Sequence, residues 1–207
     1  FMIKENDDHP VEFGVLMLYF NIPNWDKITS RINPEDLYDE PGFGIEDEPH
    51  VTALYGFHDE VTPEEVKTLS KNVLNKPITV KINEISTFDS GEKPFDVVKF
   101  DVESKDLTRL NKLLKKLPHT DTFPDYHPHV TIAYVKKGLG EKYKAKFKKP
   151  FSMTSDKAVF SDVSKNKEEW SLIKKNILKV QKDIQGMTPE KIEILKAFVN
   201  FTCSKLK

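Results

Sequence analysis

Two histidines in this chain lie within almost the same seven residues. Residues 49–55 read Pro-His-Val-Thr-Ala-Leu-Tyr and residues 128–134 read Pro-His-Val-Thr-Ile-Ala-Tyr; five of seven positions are identical, 79 residues apart. Residues two apart on a β-strand share a face. A regular strand would therefore point His50 and Thr52 one way and Val51 and Tyr55 the other. It would set His129 and Thr131 against Val130 and Tyr134 in the same manner. Two such strands, placed about a pseudo-twofold axis, bring two imidazoles and two hydroxyls into one cleft. An ordinary imidazole titrates at about 6.5, so one ring can take a proton while the other gives one. Threonine hydroxyls can donate to non-bridging phosphate oxygens, where transition-state charge gathers. This set suits hydrolysis of a phosphodiester without a metal. His50 and His129 are the candidate catalytic residues, and Thr52 and Thr131 the candidate phosphate-binding ones.

Elements of the right kind surround both motifs. Phe13 to Phe20 is an apolar run of strand length, and His50 to Tyr55 reads as a second strand. Pro23 to Ile32 reads as a helix, and the acidic stretch 39–49, with its Pro and Gly, as a loop. Thr62-Pro63-Glu64-Glu65 is a helix start, with a capping Thr, Pro at the first helical position and Glu three residues after the cap. That helix should run to about Leu74. Strands are expected over Ile78–Phe88, Phe95–Val102 and His129–Val135. Ser104 to Leu117 is amphipathic, with Leu107, Leu110, Leu113, Leu114 and Leu117 on one face. Ala158–Val163 and Trp170–Ile173 complete the strands. This mixed order with short connections predicts an α+β fold of antiparallel sheets with helices outside. Residues 176–187 read as a connector. Thr188-Pro189-Glu190 opens a further helix over 188–207, whose apolar stripe packs either on its own core or on a partner.

The paired motifs resemble those of the 2H phosphoesterase superfamily, which includes 2′-5′ RNA ligase-like proteins and 2′,3′-cyclic nucleotide phosphodiesterases. The resemblance rests on two complete His-x-Thr motifs and runs from about Phe13 to Ile173. It implies a bilobal pseudo-twofold fold over residues 9–175, with the C-terminal helix outside it. It also implies a nucleotide phosphodiester as substrate: 2′,3′-cyclic, 2′-5′-linked or a cyclic oligonucleotide signal. The context EFGVLMLYF…PHVTALYGF…YHPHVTIAYV is most similar to bacteriophage members. That likeness implies a phage protein that counters nucleotide-signalled immunity. Ala53 departs from the usual Leu of the first motif, at a position expected to face away from the chemistry. The competing expectation is a non-catalytic nucleotide- or protein-binding module on the same fold.

Composition narrows the remaining choices. With 32 Lys and Arg against 33 Asp and Glu, the formal net charge is −1, so a generic basic nucleic-acid surface is not expected and recognition must be local. Phe43, Phe57, Phe123 and Tyr126 lie near the motifs and are candidates to stack on a base. Lys99, Lys136 and Lys137 are candidates to bring positive charge near the phosphate, with a solvated lysine the favoured reading of each. His127, His129, Asp121 and Asp125 match no standard metal-ligand spacing, so neither a metal nor another cofactor is expected. The single cysteine, Cys203, excludes an internal disulfide. No membrane-length apolar run and no signal-peptide pattern is visible. The expected location is cytoplasmic, that of the host if phage-encoded, with no membrane partner.

Overall fold

The computed structural model of the chain describes residues 13–89, 91–121, 125–172 and 188. Its elements are β1 (Gly14–Phe20), α1 (Trp25–Thr29), β2 (His50–Phe57), α2 (Pro63–Ser70), β3 (Ile78–Asp89), β4 (Phe95–Glu103), α3 (Lys105–Leu114), β5 (His129–Lys136), β6 (Ala145–Ser161) and β7 (Lys167–Ser171). The fold is α+β, and each strand pairing is antiparallel. The connector 176–187, the helix expected over 188–207, and Phe123 lie outside the described residues, apart from Thr188, which is exposed.

The strands follow the order β2-β1-β6-β3-β4-β5, with β7 on β6. The 17-residue β6 organises this arrangement. Its second part, Ser155–Ser161, pairs with β1, and Lys157–Ser161 also pairs with β7. Its first part, Ala145–Ser155, pairs with β3. One half of the molecule is therefore β2-β1-β6-β7 and the other is β5-β4-β3-β6. The sequence reading assigned only the last few residues of β6 to a strand. The stretch KAKFKKPFSMTSDK hides the rest, because its lysines and Pro150 mask the period-two signal. Phe151, for instance, is 37% exposed, whereas Met153 and Ser155 are buried.

Local chemistry explains the helix ends. Thr62 forms the expected capping box, accepting from the Glu65 amide while the Glu65 carboxylate accepts from the Thr62 amide. α2 nevertheless stops at Ser70, short of Leu74. α1 is also shorter than Pro23–Ile32: Asn24 enters it in the left-handed region at φ 58°, which Asn tolerates better than most residues. α3 presents Leu107, Leu110 and Leu114 to the core at 0% exposure, as its period demands. On β1, Leu16, Leu18 and Phe20 join that core, while Val15, Met17 and Tyr19 alternate onto the opposite face and are only half-buried. That opposite face lines the cleft.

Candidate active site

The two motifs begin the strands at opposite ends of the strand order. They are not ladder neighbours, as two side-by-side strands would be. The two halves curl so that β2 and β5 approach each other across the cleft. Each strand's outer edge is covered by the segment that precedes the other. Leu37 and Ile45 bridge to Val135 and Ala133 on β5, and the Glu46 amide donates to the Ile132 carbonyl at 3.0 Å. Along β2, His119 bridges to Phe57 and the Thr120 amide donates to the Gly56 carbonyl at 2.9 Å.

The repeat extends to hydrogen bonds. His50 Nδ1 lies 2.8 Å from the Glu48 carbonyl, and His129 Nδ1 lies 2.8 Å from the His127 carbonyl, each two residues upstream. A neutral ring that donates from Nδ1 carries its lone pair on Nε2. The carbonyls of Pro49 and Pro128 accept from the amides of Phe20 and Val102, at 2.9 and 3.2 Å. Both strand entries are therefore held alike.

A β-bulge follows each motif threonine. Leu16 and Met17 pair with Leu54 and Thr52, which leaves Ala53 as the extra residue. Val98 and Lys99 pair with Ala133 and Thr131, which leaves Ile132 as the extra residue. An inserted residue reverses the alternation beyond it. Tyr55 and Tyr134 therefore return to the face of the histidines, contrary to the expectation from a regular strand. The Thr131 side chain hydrogen-bonds the Tyr134 hydroxyl, whose pKa is pushed up to about 12 by burial and by the nearby Glu46 charge. The phenol stays protonated at neutral pH. The Ala53 bulge is held from behind: buried Asn111 on α3 donates to the Ala53 carbonyl at 2.8 Å, and the Tyr126 hydroxyl donates to the Thr52 carbonyl at 3.1 Å.

Burial governs the charge states. Desolvation pushes the His50 pKa down to about 4 and the His129 pKa down to about 4. A positive charge on His50 also disfavours one on His129, so the rings sense each other. Neither is an ordinary imidazole, and the sequence-based value of about 6.5 does not hold in the folded chain. Glu46 Oε1 stands 4.0 Å from His50 Nδ1, and burial holds the Glu46 carboxyl above the usual range. Tyr19, the ladder partner of His50, places its ring 5.4 Å from the imidazole.

The candidate base-stacking residues have varied placements. Phe57 is 0% exposed and packs on Phe160 in the core, so it has no face for a ligand. Phe43 packs with Tyr38, Phe95 and Tyr134, with the Phe43–Phe95 ring centroids 4.9 Å apart, in an apolar cluster beside Thr131. Tyr126 supports the Thr52 backbone. Of the three lysines, Lys136 and Lys137 are exposed, as the solvated reading has them, and Lys99 is not. Lys136 donates to the Glu35 carbonyl, Lys137 faces Asp96, and Lys99 is buried. Lys99 bonds Asp101 and Ser86 and lies 4.0 Å from the Phe88 ring centroid. Among the described residues, no three His, Cys, Asp or Glu side chains gather as metal ligands, and no helix is long and apolar enough to cross a membrane. Sequence reading missed Glu46 and Tyr19, placed Tyr134 on the opposite face, and named Lys99 without its partners Ser86, Phe88 and Asp101. The Tyr shared by both motif copies was the signal for Tyr134.

Solved structures are similar to the chain. Usb1 of Kluyveromyces marxianus superposes with a TM-score of 0.50 at 8% identity, covering 77% of this chain and 98% of that one. E. coli LigT complexed with NADP+ gives a TM-score of 0.44 at 16% identity over 77% and 98% of the two chains. E. coli LigT complexed with 3′-AMP gives 0.45 at 15% identity over 79% and 100%. No curated protein shows significant sequence similarity to the chain. The family model described as the 2′-5′ RNA ligase superfamily matches residues 26–166, about two thirds of the sequence and both His-x-Thr motifs, and the chain belongs to that superfamily.

Proposed function

We propose that the chain hydrolyses a nucleotide phosphodiester by two-histidine acid–base catalysis. The observation that carries this reading is the equivalent tethering of His50 and His129, each through Nδ1 to a carbonyl two residues upstream, on strands that meet across one cleft. In the proposed reaction one imidazole Nε2 accepts a proton from water as the water oxygen attacks phosphorus. The other imidazole, protonated, gives its proton to the departing oxygen. The P–O bond breaks, and a phosphomonoester and a free hydroxyl result. Thr52 and Thr131 donate to the non-bridging oxygens, with Tyr134 orienting the Thr131 hydroxyl. Residues 9–175 form the catalytic unit. The similarity of the motif context to bacteriophage members extends the reading to cyclic oligonucleotide signals of immunity, cleaved in the host cytoplasm.

The test is incubation with 2′,3′-cyclic mononucleotides, 2′-5′ oligoadenylate and cyclic di- and trinucleotides, with chelator present and products identified. Turnover of at least one class is expected. His50→Ala or His129→Ala should lower it by about two to four orders of magnitude, and either Thr→Ala should cost less. Binding without turnover would instead identify a nucleotide-binding module. Activity that vanishes with chelator and returns with zinc or manganese would replace this mechanism with a metal-dependent one.

A further inference from the structure

The exposed face of α3 carries positive charge that its surroundings do not balance. Lys105, Arg109 and Lys112 lie four and three residues apart, the spacing that aligns side chains on one side of a helix, and Lys116 continues the row in the turn that follows. All four are exposed. The ion pairs of this region leave them out: Lys76 pairs with Asp106 at 3.0 Å and Lys115 with Asp121. Glu103, the next carboxylate along the chain, is engaged by Lys81 and Asn83. Like charges at these spacings repel, so the row weakens α3 instead of supporting it. The other helices show no such bias: α1 exposes Asp26 and Lys27, and α2 exposes Glu64, Glu65 and Lys67. The row lines an open groove of about 770 Å³, whose lining also includes Val102, Glu103 and Pro128. The Pro128 carbonyl accepts from the Val102 amide at 3.2 Å, and the neighbouring rung of the same ladder pairs Asp101 with His129. The groove therefore begins one residue from a motif histidine.

We propose, on the reading of the cleft as a phosphodiesterase site, that this groove holds the backbone of a single-stranded RNA, so that the linkage between the histidines belongs to a strand that runs out past Pro128 along α3. Charge complementarity names the occupant. Four cations without protein counter-charges suit a polyanion, and the chain as a whole, at net charge −1, has no general basic surface to offer instead. Successive members of the row stand about 4.5–6 Å apart along the helix axis, a spacing comparable to that of neighbouring phosphates in an extended strand. From Lys105 to Lys116 the row covers about 16 Å, beyond the reach of a mononucleotide seated in the cleft. RNA is the strand that the cleft calls for, because 2′,3′-cyclic and 2′-5′ phosphodiesters both use the ribose 2′-oxygen. Half-buried Leu113 and Pro128 give the groove apolar lining between its charges. Contacts to phosphates position a strand without reading its bases, so affinity should not depend on sequence. Lys146, Lys148 and Lys149 on β6 are also exposed, but they line no part of this groove and serve as its control.

The test uses the full chain with both motif histidines changed to alanine, so that the probe is not cleaved, and a fluorescein-labelled oligouridylate of about twenty nucleotides. Fluorescence anisotropy between about 50 and 200 mM salt reads affinity and its salt dependence. Three or four phosphate contacts predict a slope of log affinity against log salt of about −2 to −3. Adding Arg109→Gln, Lys112→Gln and Lys116→Gln together should weaken binding about tenfold or more at the lower salt and make the slope shallower by about 2. Adding Lys146→Gln, Lys148→Gln and Lys149→Gln should leave both nearly unchanged. No weakening by the first set, or equal weakening by the second, overturns the proposal. Glutamine keeps the helix propensity and removes the repulsion, so the first variant should fold. Should it not, Lys112→Glu alone takes its place, with weaker binding expected and unchanged binding overturning the proposal. With the histidines restored, the first set should raise KM about tenfold for an oligouridylate ending in a 2′,3′-cyclic phosphate, at unchanged kcat, and leave turnover of 2′,3′-cyclic UMP as it was. An equal loss on the mononucleotide would place the effect inside the cleft and overturn the docking track. Turnover of neither substrate by the unaltered chain would count against the phosphodiesterase reading, while the anisotropy result decides the groove by itself.

Discussion

At the scale of single residues, the depressed basicity of His50 and His129 has two measurable consequences. Both rings titrate at about 4 in the folded chain, against about 6.5 for an ordinary imidazole. The unfolded chain therefore binds more protons between those values, and folding stability falls as pH drops through that window. A His50→Gln/His129→Gln double variant should be more stable than wild type at pH about 5 and lose that advantage by pH about 8. Urea unfolding at the two pH values measures it, and equal acid sensitivity of both proteins would contradict the depressed values. The proposed mechanism needs one proton on the pair. In the free protein that form is populated near pH 4 and declines above it, so kcat/KM should fall steadily from there towards neutral pH. A bound phosphodiester favours the proton, so the alkaline fall in kcat should lie at higher pH than that in kcat/KM. Coincident profiles would mean that substrate charge does not set the protonation state.

At the scale of elements, the bulges at Ala53 and Ile132 do what a regular strand could not. They return Tyr55 and Tyr134 to the cleft face, and each displaces a backbone carbonyl that must find a donor elsewhere. The Ile132 carbonyl takes the Glu46 amide, and the Ala53 carbonyl takes the buried Asn111 side chain. Asn111→Leu should leave that carbonyl unpaired and cost about 1–3 kcal/mol. Its turnover should also fall, since Thr52 is the adjacent residue. Unfolding and kinetics on one preparation separate the two effects; unchanged stability would show that the bulge needs no support from α3. Gly56 makes a related demand. At φ 121° it brings β2 against residue 120, and a Cβ there would lie 2.2 Å from the Thr120 carbonyl oxygen. Gly56→Ala should thus destabilise by more than the ~1–3 kcal/mol of backbone strain alone.

At the scale of the whole molecule, β6 is the common member of both halves, pairing with β1 through one part and β3 through the other. The halves thereby share a continuous core instead of forming separate domains. The compact unit ends at Leu172, and the superfamily match ends at residue 166. A chain shortened after residue 175 should therefore keep the turnover and thermal midpoint of the full chain. Loss of turnover without loss of folding would place the tail within the working site.

The sequence by itself determined which residues could do the chemistry. Period-two geometry requires His50 and Thr52, or His129 and Thr131, to share a face, and duplication of the segment supplies the pair. It also determined the capping box at Thr62 and the leucine face of α3, because both depend on residues within a few positions of each other. Tertiary structure decided what depends on distant partners. The bulges exist because β1 and β4 impose their register on β2 and β5, so the facing of Tyr55 and Tyr134 was not readable from their own strands. Long lysine-rich β6 is a strand because β1 and β3 pair with it. The burial that lowers both imidazoles depends on the packing of residues distant in sequence, and so no strand alone could show it.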